Sequence, residues 1–426
     1  MSSTGTASGF RGLGRHEVVT VDELEPVDAY RERILSRVNS LEPIDLGIGE
    51  VLGLVLAEDV YSDESMPPFD NSGMDGYAVV AADVAGAAAD APGSLRVVGE
   101  VAAGTAQLPQ VNSGTAVRIM TGAPMPPGAD AVIPVEVTRE TNGMVEIYRS
   151  PRAGEFVRRT GEDVEPGTKV LAAGRRIRPG DVALLAALGR ARVRCIPRPR
   201  VVVLSTGNEL APPGQELTPG KIRDANSYML GALVRQADAV PYLAGIVADD
   251  RTSLTEAFDS NAGHADLVIA TGGVSAGAYD HVHDVLEMVG DAVSSKVAMQ
   301  PGMPQVFGHV RGVPTFGLPG NPVSAFVSFE IFVRPAIRVL QGRRDLQRPI
   351  VTARLSVRVT SPPHKRSYLR VRLTQDQGRW IASPAGGQGS HLITTLAAAD
   401  GLAEVPEDRT VVEEGDAVRV HLLVDP

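Results

Sequence analysis

The chain has little to tie it to an oxidising compartment, a membrane or a nucleic acid. Its 426 residues include one cysteine, Cys195, which excludes an internal disulfide and a cysteine-based zinc site. No stretch approaches the roughly 18 consecutive apolar residues of a membrane span. The amino-terminal MSSTGTASGFRGLGRHE lacks the apolar core of a secretory signal. There is no basic excess: the formal net charge is −10, which argues against a broad nucleic-acid surface while leaving room for a local basic pocket. The phosphate loop GxxxxGK followed by Ser or Thr is absent, and no GxGxxG follows a strand-like run, so the common nucleotide folds are not supported. No internal repeat is visible. What remains is the composition of an ordinary soluble protein, 43% apolar and 22% charged. At this length about two to four domains are expected. The expectation is a cytoplasmic protein with neither a nucleic acid nor a membrane as partner.

What is present changes texture along the chain. Residues 1–20, rich in Ser, Gly and Thr, are expected to be disordered. Val27, Tyr30, Ile34, Leu35 and Val38 then fall at helical spacing. Residues 66–159 read as short β-like runs broken by Gly and Pro, a β-rich domain inserted between 21–65 and a return segment, 160–198. Residues 199–343 alternate apolar strands (201–204, 242–247, 267–270, 314–317) with helices (226–236, about 252–260, about 280–289 and a long one over 322–340). Strands apolar on both faces and alternating with helices predict a parallel sheet covered on both sides. Residues 344–426 return to alternating strands, as in a small β-barrel or sandwich. The fold class is thus multidomain α/β plus β: a central parallel-sheet α/β domain, a β-rich insertion and a small C-terminal β domain.

In such a sheet, ligands bind at the carboxyl ends of the strands. Those ends share one chemical theme. Strand 201–204 is followed by Ser205, Thr206, Gly207, Asn208 and Glu209, and strand 242–247 by Asp249 and Asp250. Strand 267–270 empties into TGGVSAGAYD, which contains Gly272, Gly273, Ser275, Gly277 and Asp280. The last strand leads to Gly320, Asn321, Pro322 and Ser324. Small residues let the backbone approach a ligand, and hydroxyls supply donors. Glu209, Asp249 and Asp280 could hold a divalent cation against a phosphate, as hard oxygen ligands do for magnesium.

Each piece has a plainer alternative. Asp249 and Asp250 could simply start a helix, since Asp caps well. Gly320-Asn321-Pro322 is what a helix start demands, and is equally an anion site. His281 and His283 are two apart on a helix, point about 200° away from each other and cannot share a metal. In the β-rich part, Asp75 lies in a loop of turn formers, Thr121 follows a strand, and Arg158-Arg159 beside Glu162 and Asp163 resembles a solvated charge cluster.

The combination is more specific than its parts. PPFDNSGMDGYAV, RIMTGAPMPPGADAV, RRTGEDV, LSTGNEL, TGGVSAGAYD and GLPGNPVSAF occur in the order found in molybdopterin molybdenumtransferases, the MoeA and gephyrin E-domain family, which the chain resembles from about residue 20 to its end. The resemblance implies an enzyme that inserts molybdenum from molybdate into adenylylated molybdopterin and releases AMP, with Mg2+ or another divalent cation. It also implies a homodimer whose dimerisation part is 21–65 with 160–198, and whose molybdopterin-binding part is 199–343. A molybdopterin adenylyltransferase is the substrate donor it implies. Matched motif by motif, the family's acidic positions fall on Asp75, Glu209, Asp249 and Asp280, its threonine on Thr121, and its basic positions on Arg158 and Lys296. Gln388-Gly389-Ser390-His391 resembles a loop that reaches toward the site. In the family, Asp75 of one chain faces Asp280 of the other. Two departures stand out: Gln300 and Met303 occupy positions where many members carry lysine, and Asn208 stands where an acid is frequent. A tungsten-inserting paralogue and a non-catalytic molybdopterin-binding scaffold are the alternative functions. The intact acidic set speaks against the scaffold.

Overall fold

The structure is a computed structural model and describes residues 24–272 and 281–424. Those residues form two compact units, one of Asp45–Leu52 with Leu56–Cys195 and one of the remainder. The larger unit holds a six-stranded sheet. Its strands are β1 (Arg200–Thr206), β2 (Val240–Val247), β3 (Leu267–Thr271), β4 (Val293–Lys296), β5 (Pro304–Val310) and β6 (Val313–Leu318), in the spatial order β2-β1-β3-β6-β5-β4. Alternate residues of β1 feed different cores. Val201 and Val203 pack with Tyr30, Leu230, Phe316 and Phe332 on one face. Val202 and Leu204 pack with Leu254, Phe258, Val282 and Leu286 on the other. Helices α1 (Val27–Leu35), α2 (Asn226–Gln236), α5 (Pro322–Ser328) and α6 (Arg334–Leu340) supply the first face; α3 (Arg251–Ala262) and α4 (His281–Val289) supply the second. Burial on both sides explains the continuous apolar runs of β1 and β3, whereas β2, at the sheet edge, leaves Tyr242 and Leu243 exposed despite its apolar sequence.

The sheet is mixed, not wholly parallel. β2, β1, β3 and β6 run parallel, whereas β5 is reversed and pairs antiparallel with both β6 and the edge strand β4. The cause is local. Arg311 (φ 52°) and Gly312 (φ 81°) form a two-residue hairpin between Val310 and Val313, and a connection that short can join only antiparallel strands. The long helix expected over 322–340 is divided by a π-helical turn, Phe329–Val333. Pro335 has no N–H to donate to the preceding turn, and a wider turn accommodates that loss. Glu330 in this turn meets Arg334 at 2.7 Å and Arg348 at 2.9 Å; Glu330 and Arg334 are buried and Arg348 is half-buried.

The C-terminal strands β7 (Ile350–Leu355), β8 (Arg366–Asp376), β9 (Arg379–Pro384), β10 (Gly401–Val405) and β11 (Ala417–Leu422) close into a barrel, since β8 pairs with both β9 and β10. Met299–Gln300 adds to β8 in parallel. The smaller unit is built on a six-stranded sheet in which Gly76–Val79 lies between Ala131–Pro134 and Thr115–Ile119. Its residues alternate between two apolar clusters, Tyr77 and Val79 in one and Ala78 in the other.

Candidate functional site

The strand order of the larger sheet reverses at β1 and β3, which leaves a crevice beyond their carboxyl ends. A cavity of about 630 Å³ occupies it. Its wall takes Thr206 from the end of β1, Glu209 from the loop after it, and Gly272 from just past β3. Gly320 and Asn321 come from the turn after β6, and Pro322 and Ser324 from the first turn of α5. Seven of the sequence-derived positions therefore converge. Gly273, Ser275, Gly277 and Asp280 lie outside the described residues.

Buried polar contacts fix the floor of the crevice. Ser205 Oγ donates to Asp224 Oδ1 at 3.1 Å and shares a 2.7 Å hydrogen bond with Ser227 Oγ. The Ser227 N–H donates to the same Asp224 oxygen at 3.0 Å. Asn226 Nδ2 donates to Thr271 Oγ1 at 3.0 Å and to the Gly320 carbonyl at 2.8 Å. One side chain thus ties the start of α2 to the ends of β3 and β6. Asp224 and Asn226 carry this lock; the sequence showed a helix starting at 226 and no sign of either role.

Two glycines hold conformations that L side chains rarely adopt, Gly272 against a fixed carbonyl and Gly207 against a movable carboxylate. Gly272 has φ 99°, and a Cβ there would stand 2.3 Å from the Thr206 carbonyl oxygen. At Gly207, a Cβ would fall 2.6 Å from Glu209 Oε2, because the Glu209 carboxylate folds back over this position.

The acids after β2 divide their roles. Asp250 is the helix cap: its side chain accepts from the Ser253 N–H at 2.9 Å and the Ser253 hydroxyl at 2.7 Å. Asp249 is not. Its N–H donates to Asn208 Oδ1 at 3.3 Å, and its own Oδ1 is buried with no hydrogen-bond partner among the described residues. Burial pushes the Asp249 carboxyl above the usual carboxylate range; the nearby Glu209 and Asp250 charges push the same way and His281 opposes them. A partly buried carboxylate left without a donor, next to a second carboxylate, suits a hard cation. Among the described residues no three His, Cys, Asp or Glu side chains converge as a metal centre, so these two would need a further ligand.

Asn321 takes the backbone position of an N-cap before Pro322, yet its side chain makes no capping bond. The C-terminal part contributes through a loop. Arg370 is fully buried and donates to Thr395 Oγ1 at 2.7 Å and to the carbonyls of Gly387 at 2.8 Å and Gly389 at 3.3 Å. The loop then reaches α5, where the Val323 N–H donates to the Ser390 carbonyl at 3.2 Å. This places His391, rather than Ser390, in the cavity wall.

Lys296 does not line the cavity. It ends β4, half-buried, in register with Pro304, which does line it. Gln300 and Pro301 line a second cavity, of about 320 Å³, with Ser367 and Gln388. Lys365 Nζ lies 3.6 Å from Met303 Sδ. In the smaller unit, Asp75 Oδ1 accepts from the Thr121 N–H at 2.7 Å, which holds the Asp75 carboxyl below its usual range. Arg158 is exposed on a short strand paired with Asn71–Ser72.

Three consecutive stretches match known domain families: residues 25–189 the MoeA N-terminal region (domain I and II), 202–339 a probable molybdopterin binding domain, and 352–423 the MoeA C-terminal region (domain IV). A molybdopterin molybdenumtransferase 2 of Mycobacterium tuberculosis is 43% identical over 403 residues, 93% of this chain and 99% of the relative. The molybdopterin molybdenumtransferase of Bacillus subtilis is 34% identical, over 93% of this chain and 94% of its own. A solved molybdopterin biosynthesis MoeA protein from Pyrococcus horikoshii superposes with a TM-score of 0.80 at 35% identity, covering 94% of this chain and 100% of that one. No helix among the described residues is long and apolar enough to cross a membrane.

Proposed function

The chain belongs to the MoeA family of molybdopterin molybdenumtransferases, enzymes of molybdenum cofactor biosynthesis, and from that premise we propose that it inserts molybdenum from molybdate into adenylylated molybdopterin and releases AMP. The observation that carries this reading is the Asp249 carboxylate: it has a buried oxygen without a partner among the described residues, it feels the charge of Glu209, and Glu209 lines the cavity beyond the sheet.

The substrate is anionic at its pyrophosphate, and the crevice must receive it without adding net positive charge everywhere. Backbone at Gly272 and Gly320 allows close approach, and Thr206 and Ser324 add hydroxyl donors. Asn226 ties the start of α2 to the ends of β3 and β6 at fixed spacing, so these groups are arranged before substrate arrives. Glu209 and Asp249, with Asp280, would hold Mg2+, which supplies charge neutralisation and polarisation of the phosphoanhydride when bound. Asp75 and Thr121, with the basic Lys296 and Arg158, belong to the same proposal as groups serving the anionic substrates. The proposal includes a homodimer supplied by a molybdopterin adenylyltransferase.

Gln300 and Met303 in the turn beside the second cavity favour one further reading, a preference for tungstate. One assay separates the two. The protein is incubated with adenylylated molybdopterin, magnesium and either molybdate or tungstate, and AMP is followed by chromatography. AMP release that needs molybdate is expected; release that responds only to tungstate shows the paralogue; no release with either removes the proposal.

A further inference from the structure

We propose that Arg223 is the residue that receives a phosphate group of the substrate at the mouth of the α/β cavity. The inference rests on the substrate being adenylylated, as read above. Among the described residues lining that cavity, Arg223 is the only lysine or arginine. The other polar groups there are hydroxyls, amides, His391, and the carboxylates of Glu209 and Asp224. A phosphate entering such a space meets acceptors that repel it unless a cation is supplied.

The backbone of Arg223 is held in place. It lies on a short strand, Ile222–Arg223, in parallel register with Leu210–Ala211. The Ile222 N–H donates to the Glu209 carbonyl at 2.8 Å and the Asp224 N–H to the Ala211 carbonyl at 2.9 Å. Asp224, the next residue, is clamped by Ser205 and Ser227. The side chain is by contrast exposed, and its recorded contact is Nη2 donating to the Gln215 carbonyl at 3.3 Å. That occupies one of the guanidinium's several N–H donors.

Among the described residues no carboxylate forms an ion pair with it, although two are adjacent. Asp224 is turned inward to the serines, and Glu209 is folded over Gly207. Several other arginines in this unit are paired with acids, Arg251 with Asp284, Arg348 with Glu330 and Arg343 with Asp345, whereas Arg370, which like Arg223 bonds carbonyls, is buried away from the cavity wall. A guanidinium on a fixed strand, with no acid paired to it and no other cation lining the cavity among the described residues, has the fork geometry for a phosphate.

The test is calorimetric binding of AMP and of adenosine to the full-length protein, its Arg223→Gln variant and its Arg223→Lys variant. Arg223→Gln is expected to weaken AMP about three- to tenfold, as for a charge-assisted contact at a solvated rim. Adenosine binding should stay unchanged, and Arg223→Lys should recover part of the loss. Equal AMP binding by wild type and Arg223→Gln overturns the inference alone. Parallel loss of adenosine also overturns it, because the residue would then be structural. A wild-type protein that binds no AMP removes the adenylylated-substrate reading as well. Should Arg223→Gln fail to fold, salt decides: wild-type AMP affinity that does not fall with ionic strength overturns the assignment.

Discussion

Asp249 donates its backbone N–H to Asn208 Oδ1 at 3.3 Å, while its own carboxylate oxygen stays buried and unpartnered among the described residues. The contact joins the loops after β2 and β1 and holds an acid where burial disfavours its charge. Keeping such a group costs stability, and that cost is expected at sites that wait for a ligand.

Asp249→Asn should therefore raise stability slightly while abolishing AMP release. The sign follows from the raised carboxyl: a folded-state value above the unfolded one favours the fold below the unfolded value and loses that contribution as pH rises through the folded one. At neutral pH the ionised acid is a net burden, which the amide removes. A melting point higher by about one or two degrees is expected at pH 7 without magnesium. Magnesium should raise the wild-type melting point and leave the variant's unchanged. A variant less stable than wild type, or one still turning over, would contradict this role.

Gly272→Ala should damage both fold and site. The new Cβ would have to displace the Thr206 carbonyl, and φ 99° is strained for any side chain. A loss of at least about 2 kcal/mol in urea unfolding is expected, with weakened AMP binding in whatever fraction folds.

The Glu330, Arg334 and Arg348 triad should set part of the acid response. Burial opposes ionisation of Glu330, but hydrogen bonds and charge from Arg348 and Arg334 outweigh it and hold the carboxyl below the usual glutamate range. Its contribution is then fully present above the ordinary glutamate value of about 4.3 and is lost as pH falls through the lower folded one. Glu330→Ala, which leaves a buried arginine unpaired, should cost about 3–5 kcal/mol at pH 7. Denaturation at pH 7 and pH 4 should show a smaller difference between wild type and Glu330→Ala at the lower pH.

Gln300→Lys should tighten molybdate binding. Gln300 and Met303 leave the turn without charge, and Lys365 is the cation nearest Met303 sulfur among the recorded contacts. One added, partly exposed contact should give roughly 0.5 to 1 kcal/mol, about a two- to fivefold lower Kd by calorimetry. Unchanged or weaker binding would show that this turn does not face the oxyanion.

Much of this was legible in the sequence where burial dictated residue type. The runs at 201–204 and 267–270 read as buried strands because both their faces are covered. The strand Pro304–Val310 did not, because it opens on Pro and carries Gly308, whose Cβ would collide with Ala292. The glycines and Asn321 at the strand ends were visible as chemistry. Arg223 and Asn226 were not: one sits in a polar stretch with no periodicity, and the other looks like any helix start. Asp249 and Asp250 looked alike, and only the Ser253 contact of Asp250 tells cap from site. Lys296, singled out by motif, stands one register position from the wall.

The central claim is that release of AMP and insertion of molybdenum are one coupled reaction dependent on this crevice. The most direct measurement counts both in the same tube: molybdenum bound to the purified pterin product by elemental mass spectrometry, and AMP by chromatography, for wild type and for Glu209→Gln. Wild type should yield molybdenum and AMP in matching amounts at every time point, and Glu209→Gln should yield neither above background while keeping the wild-type fold by circular dichroism. AMP released without molybdenum insertion, or a Glu209→Gln variant as active as wild type, would contradict the account.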